Sequence, residues 1–169
     1  MGVEEHRQTA GAVHPTLRVA IITVSDTRTL ESDESGMEIS RRLTGAGHQV
    51  LERTVVPDDP GRIAWVLRHW LASDADSVIL NGGTGIAPRD GTVEVVHRFL
   101  DRELPGFGEL FRSLSFAEIG AAAMLSRALG GVARGKAVFA LPGSRNAVAL
   151  AMERLILPEL AHVVHEIRK

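Results

Sequence analysis

Apolar residues along this chain fall into two alternating rhythms, and the alternation predicts the architecture. Leu17 to Val24 is an almost continuous β-branched run closed by Ser25-Asp26-Thr27, the pattern of a buried parallel strand that ends in a polar loop. Ser35-Gly36-Met37-Glu38 then has the S-x-x-E spacing of a capping box, and Ile39, Leu43 and Ala46 repeat on one helical face until the Gly45 to Gly47 stop. Gln49 to Val56 predicts a second strand, ended by Pro57. Asp59-Pro60 is a strong helix start, because Asp accepts amide bonds at the cap and Pro lacks the amide that would go unpaired. Ile63, Val66, Leu67, Trp70 and Leu71 follow at helical spacing, the best amphipathic pattern in the chain.

Ser77 to Leu80 reads as a short strand feeding the loop Asn81-Gly82-Gly83-Thr84-Gly85, and a helix starts near Thr92. Leu104-Pro105-Gly106-Phe107-Gly108 reads as a break before another helical segment, and the alanine-rich stretch from Ile119 to Leu129 predicts helix up to Gly130-Gly131. Lys136 to Leu141 reads as a strand, Pro142-Gly143-Ser144 as its loop, and Asn146 onward as a closing helix kinked or restarted at Pro158. Strands alternating with helices imply right-handed crossovers and a mostly parallel sheet covered on both sides. Residues 1–15 lack periodicity and read as a flexible tail, leaving 16–169 as a single domain.

Composition narrows the chemistry. A chain of 169 residues, 44% hydrophobic and 24% charged, suits one compact domain with a sizeable core. A formal charge of -2 and a pI near 6.4 provide no basic field for a nucleic-acid backbone, so a small-molecule partner is expected. Without cysteine there is no thiolate nucleophile and no sulfur-dependent metal site. The apolar runs are too short to cross a bilayer and the first residues do not form a signal peptide, so a soluble, cytoplasmic protein is expected. The two lysines, Lys136 and Lys169, stand in no phosphate-binding motif. His162 and His165 read as a solvated helix face, and Trp70 as core.

Four strand ends carry polar or glycine-rich loops: Ser25-Asp26-Thr27, Pro57-Asp58-Asp59, Asn81 to Asp90 and Pro142-Gly143-Ser144. Parallel strands bring such ends to one edge, where helix N-termini present free amides to an anion. Gly82-Gly83-Thr84-Gly85 suits close approach of backbone to phosphate, though a glycine cluster of this kind also makes a tight turn. It matches neither G-x-x-x-x-G-K-[ST] nor G-x-G-x-x-G. Asp90 stands where a carboxylate holds Mg²⁺ or caps the following helix. Asp59 is the better cap of its pair, which leaves Asp58 to face the cleft. Arg89 and Arg127 are candidates for neutralising phosphate charge.

The string from Asn81 to Asp90, with Thr23 to Thr27 and Val56 to Asp59 before it, resembles the MoaB/MogA family. Leu104 to Arg112, Ala123 to Ala128 and Leu141 to Ser144 follow in the family's order, so the likeness spans about residues 17–165. The Phe-Gly-Glu-Leu-Phe-Arg and Pro-Gly-Ser stretches look more like the MoaB branch than the MogA branch. The resemblance implies a MogA-like three-layer α/β/α fold, assembly as a homotrimer or homohexamer, and work alongside other molybdenum-cofactor biosynthesis proteins. It further implies binding of molybdopterin and its adenylylation from Mg-ATP, with a non-catalytic pterin carrier as the alternative. By motif, Asp58 and Asp90 match the aspartates linked to catalysis and Mg²⁺. Gly82, Gly83, Thr84 and Gly85 match the phosphate-holding loop. Ser25, Asp26, Ser115, Pro142, Gly143 and Ser144 match neighbouring substrate-binding positions. Gly91 departs from the family's usual valine, and Ser115 falls in a segment of variable length.

Overall fold

In the computed structural model, which describes residues 16–169, the first apolar run becomes β1 (Arg18–Val24), buried from Val19 onward. It pairs in parallel with β2 (Gln49–Val56) on one side and β3 (Ser77–Asn81) on the other. β3 pairs in parallel with β6 (Lys136–Leu141), and two antiparallel strands, β5 (Leu129–Ala133) and β4 (Arg102–Glu103), extend the sheet. The order is β2-β1-β3-β6-β5-β4, so the carboxyl ends of β1, β2, β3 and β6 share one edge.

Alternation of side chains along the strands feeds two separate cores. Val19, Ile21, Ile79, Phe139 and Leu141 pack against α1 (Glu34–Gly45), α4 (Pro105–Ile119), α5 (Arg145–Ala151) and α6 (Leu157–Ile167). Ala20, Ile22, Val24, Leu80 and Val138 pack against α2 (Pro60–Ala72) and α3 (Thr92–Phe99). The three-layer α/β/α arrangement and mostly parallel sheet expected from the sequence are present. α2 starts as its sequence predicts: the Asp59 carboxylate accepts the Arg62 amide at 2.8 Å, Pro60 opens the first turn, and Ile63, Val66, Leu67, Trp70 and Leu71 are buried. The predicted tail, residues 1–15, lies outside the described residues.

Four local expectations are corrected. Ser35 and Glu38 do not form a capping box. Asp33 caps α1 instead, accepting the Gly36 amide at 2.8 Å, while the Ser35 hydroxyl donates to the Gly143 carbonyl at 2.7 Å and Glu38 is taken by Arg41 and Arg42. The Leu104 to Gly108 stretch is no break, because Pro105 occupies the first turn of α4, where its missing amide costs nothing. The alanine-rich stretch from Ile119 to Leu129 is no α-helix: α4 ends at Ile119, a 3₁₀ segment runs over Gly120–Leu125, and Leu129 opens β5. Gly130 and Gly131 lie inside that strand because a β-carbon would meet the Phe107 ring at 2.9 Å or the Arg102 carbonyl at 2.5 Å, so they permit close packing rather than a turn. Finally, the discontinuity near Pro158 is a π-helical turn over Met152–Ile156, immediately before α6.

Candidate functional site

The loops at the sheet edge rest on a buried polar ladder. The Asn81 side-chain amide, at the end of β3, donates to the Thr23 hydroxyl at 2.8 Å, and that hydroxyl donates to the fully buried Asp33 at 2.8 Å. One chain of hydrogen bonds thus ties β3, β1 and the start of α1 beneath the site, with the buried Asn81 Oδ1 left without a hydrogen-bond partner.

Above it, the chain turns at Gly82 and Gly83 through conformations that L side chains rarely adopt. Gly82 and Gly83 have φ of +88° and +62°, and a β-carbon on Gly82 would collide with the Val24 carbonyl. The Gly82 amide donates to the Leu141 carbonyl at 3.0 Å, and the Gly83 carbonyl accepts from Thr92 at 3.0 Å, joining the loop to β6 and α3. A cavity of about 410 Å³ opens here, lined on one side by Gly82, Gly83, Thr84, Gly85 and Asp90 and on the other by Pro142, Gly143 and Ser144. Ser144 is also the cap of α5, accepting the Ala147 amide at 3.2 Å. Ser115, on the buried side of α4, completes the polar lining.

Of the remaining sequence candidates, Ser25, Asp26 and Asp58 do not line this cavity. The Ser25 hydroxyl accepts from the Thr27 and Arg28 amides at 3.3 and 3.2 Å, shaping its own turn. Asp26 accepts the Asp58 amide at 3.1 Å and pairs with Arg89 at 2.8 Å. Asp58 lies against the glycine loop: its carboxylate accepts the Gly91 amide at 3.3 Å and would stand 2.8 Å from a β-carbon on Gly83. The Asp90 carboxylate accepts the Ala87 amide at 2.8 Å, so it shapes its own loop, while Gly91 holds the cap position of α3. Burial raises the Asp58 pKa, the Gly91 amide opposes this, and the neighbouring charges of Asp90 and Asp26 add to it.

Sequence reasoning missed the apolar side of the site. Phe111, Ile119, Leu125 and Ala147 line the cavity beside the polar Ser126, and Phe111 is almost fully buried. Helical spacing from Phe107 to Phe111 and Ser115 was the available signal. Ser35 was placed in a cap, yet its hydroxyl holds the Gly143 carbonyl of the far wall. Among the described residues no helix is long and apolar enough to cross a membrane.

The family model described as "Probable molybdopterin binding domain" matches residues 20–162. The molybdenum cofactor biosynthesis protein B of Halalkalibacterium halodurans is 53% identical over 175 residues, which cover 100% of this chain and 99% of that protein. Its counterpart from Bacillus subtilis is 50% identical over 171 residues with the same coverage. A crystal structure of molybdenum cofactor biosynthesis protein B superposes with a TM-score of 0.88 at 49% identity, covering 90% of this chain and 96% of that one. The chain therefore belongs to the MoaB/MogA family of molybdopterin-binding-domain proteins, on its molybdenum cofactor biosynthesis protein B branch.

Proposed function

We propose that this protein binds molybdopterin in the cavity at the sheet edge and transfers an adenylyl group to it from ATP, with Mg²⁺, as a homo-oligomeric enzyme of molybdenum cofactor synthesis. The observation that carries this reading is the meeting of the glycine loop, Asp90 and Pro142-Gly143-Ser144 around one cavity in a chain of this family. An oxygen of the pterin's terminal phosphate attacks the α-phosphorus of ATP. The bond from that phosphorus to the bridging oxygen breaks, and pyrophosphate leaves with the electron pair. The attacking phosphate is already ionised at neutral pH, so no side-chain nucleophile or base is required.

The protein's contribution is position and charge. Backbone amides of Gly83, Thr84 and Gly85 and the Thr84 hydroxyl would face phosphate oxygens, while Phe111, Ile119 and Leu125 would shelter the flat pterin from water. Asp90 and Asp58 would hold Mg²⁺, whose charge offsets that of the reacting phosphates. Among the described residues no three potential ligands cluster closely enough to hold an ion by themselves. That donor set fits Mg²⁺, which is commonly held by one or two carboxylates with substrate phosphates and water completing the shell.

The test is formation of adenylyl-molybdopterin from α-labelled ATP by the purified protein, with pterin affinity measured separately by fluorescence. Asp58→Ala and Asp90→Ala should each lower turnover about 100-fold or more, with a much smaller change in pterin affinity. Equal losses of turnover and affinity would remove both aspartates from these roles. A wild-type protein that binds the pterin and forms no product would be a carrier.

A further inference from the structure

Arg127, one of the two candidate arginines, does not line the cavity at the sheet edge, and all three of its guanidinium nitrogens meet protein acceptors. Its Nε donates to the Thr84 carbonyl at 3.1 Å, one terminal nitrogen donates to the Asp90 carbonyl at 3.0 Å, and the other pairs with Glu94 on α3. Thr84 and Asp90 are the two ends of the loop that carries Gly85 to Arg89. Inside that loop the Ala87 amide donates to the Asp90 carboxylate at 2.8 Å and the Asp90 amide donates back to the Ala87 carbonyl at 2.9 Å. The arginine thus closes a ring around the segment that supplies the phosphate-facing amides and one of the two acidic groups. It also follows directly on Leu125 and Ser126, which line the cavity.

We propose that Arg127 is a positioning residue: it straps the two ends of the Thr84 to Asp90 loop together and so aims Asp90 and the loop amides at the bound phosphates, without itself contacting the ligand. The proposal rests on the adenylyl-transfer reading for its kinetic consequence and on hydrogen bonding alone for its structural one. Only a planar fork with several donors reaches two carbonyls and a carboxylate at once, and a lysine ammonium on a flexible stem does not reproduce that span. A phosphate-neutralising arginine behaves differently, since lysine supplies the same charge.

The experiment compares wild type with Arg127→Ala, Arg127→Lys and Glu94→Gln by amide hydrogen exchange over residues 84–91 and by steady-state kinetics. The expected result is faster exchange in this segment for both arginine variants, with kcat reduced about 100-fold, the scale of a small misplacement at a reacting centre. KM for ATP and the affinity for molybdopterin should change by less than about threefold, because uniform binding is untouched. Glu94→Gln, which keeps the arginine and removes one anchor, should move exchange and kcat the same way by a smaller factor. It carries the test if Arg127→Ala fails to fold. Near-normal turnover in Arg127→Lys, unchanged exchange in the loop, or a loss of ATP affinity at constant kcat would each overturn the proposal. A wild-type protein without adenylyl transfer defeats only the kinetic reading, and the exchange comparison then decides the strap by itself.

Discussion

Asp58 carries a conflict between stability and chemistry. Burial lifts its pKa above the ordinary value of 3.8, so the folded protein holds that proton more tightly than the unfolded chain does. The stabilising contribution is therefore present at pH values below 3.8 and is lost as pH rises through the elevated pKa. Asp58→Asn keeps the acceptor for the Gly91 amide and removes the charge. We expect its urea midpoint to match wild type near pH 3.5 and to exceed it at pH 7.5. The gain should stay below about 1 kcal/mol because the group is partly solvated. The same variant should lose turnover, and a midpoint lower than wild type at pH 7.5 would contradict the assigned origin of the shift. Sequence made half of this pair legible: Asp59 beside Pro60 is the obvious cap and accepts the Arg62 amide, whereas Asp58, expected to face the cleft, accepts the Gly91 amide and is not among the residues that line the cavity. Ser35 was not legible, because nothing in S-x-x-E spacing reveals that a carbonyl 108 positions away competes for the hydroxyl.

Among the elements, those whose partners are local or whose pattern is strongly periodic were readable, and those defined by distant packing were not. β1, β3 and β6 announce themselves as apolar runs, β2 by its stretch from Gln49 to the Pro57 stop, and α2 by its five-residue stripe. β5 did not, since Leu-Gly-Gly-Val-Ala has weak strand propensity and its glycines imitate a helix stop. What makes it a strand is tertiary: Phe107 of α4 lies over Gly130, and Gly131 pairs with Glu103 while the Arg102 carbonyl crowds it. Gly131→Ala should therefore cost about 1–3 kcal/mol through overpacking against backbone that has little room to move, measured as a lower urea midpoint. Because β5 leads directly from Arg127, the variant should also speed amide exchange in β4. A neutral result would mean the edge strand moves aside at no cost.

For the whole molecule, acid sensitivity should follow the face covered by α1. Glu38 is buried, and hydrogen bonding from Arg41, with further help from Arg42, holds its pKa at about 2 against an ordinary 4.5. Its contribution is complete above pH 4.5 and disappears as pH falls toward 2. Glu38→Gln should be less stable at pH 7 by about 1 kcal/mol, a figure kept small because Arg41 is largely exposed to solvent. The gap from wild type should narrow between pH 4.5 and pH 2 in thermal melts, and a gap independent of pH would assign the loss to packing instead. Sheet order carries one more result. The last strand in the chain, β6, inserts between β3 and β5. A nascent polypeptide that has left the ribosome only through β3 can pair three strands, yet it has neither the Pro142-Gly143-Ser144 wall nor Arg127. Ligand then acts as a selective stabiliser of finished chains, drawing no partly synthesised species toward the folded state and shielding completed ones from proteolysis in proportion to its occupancy.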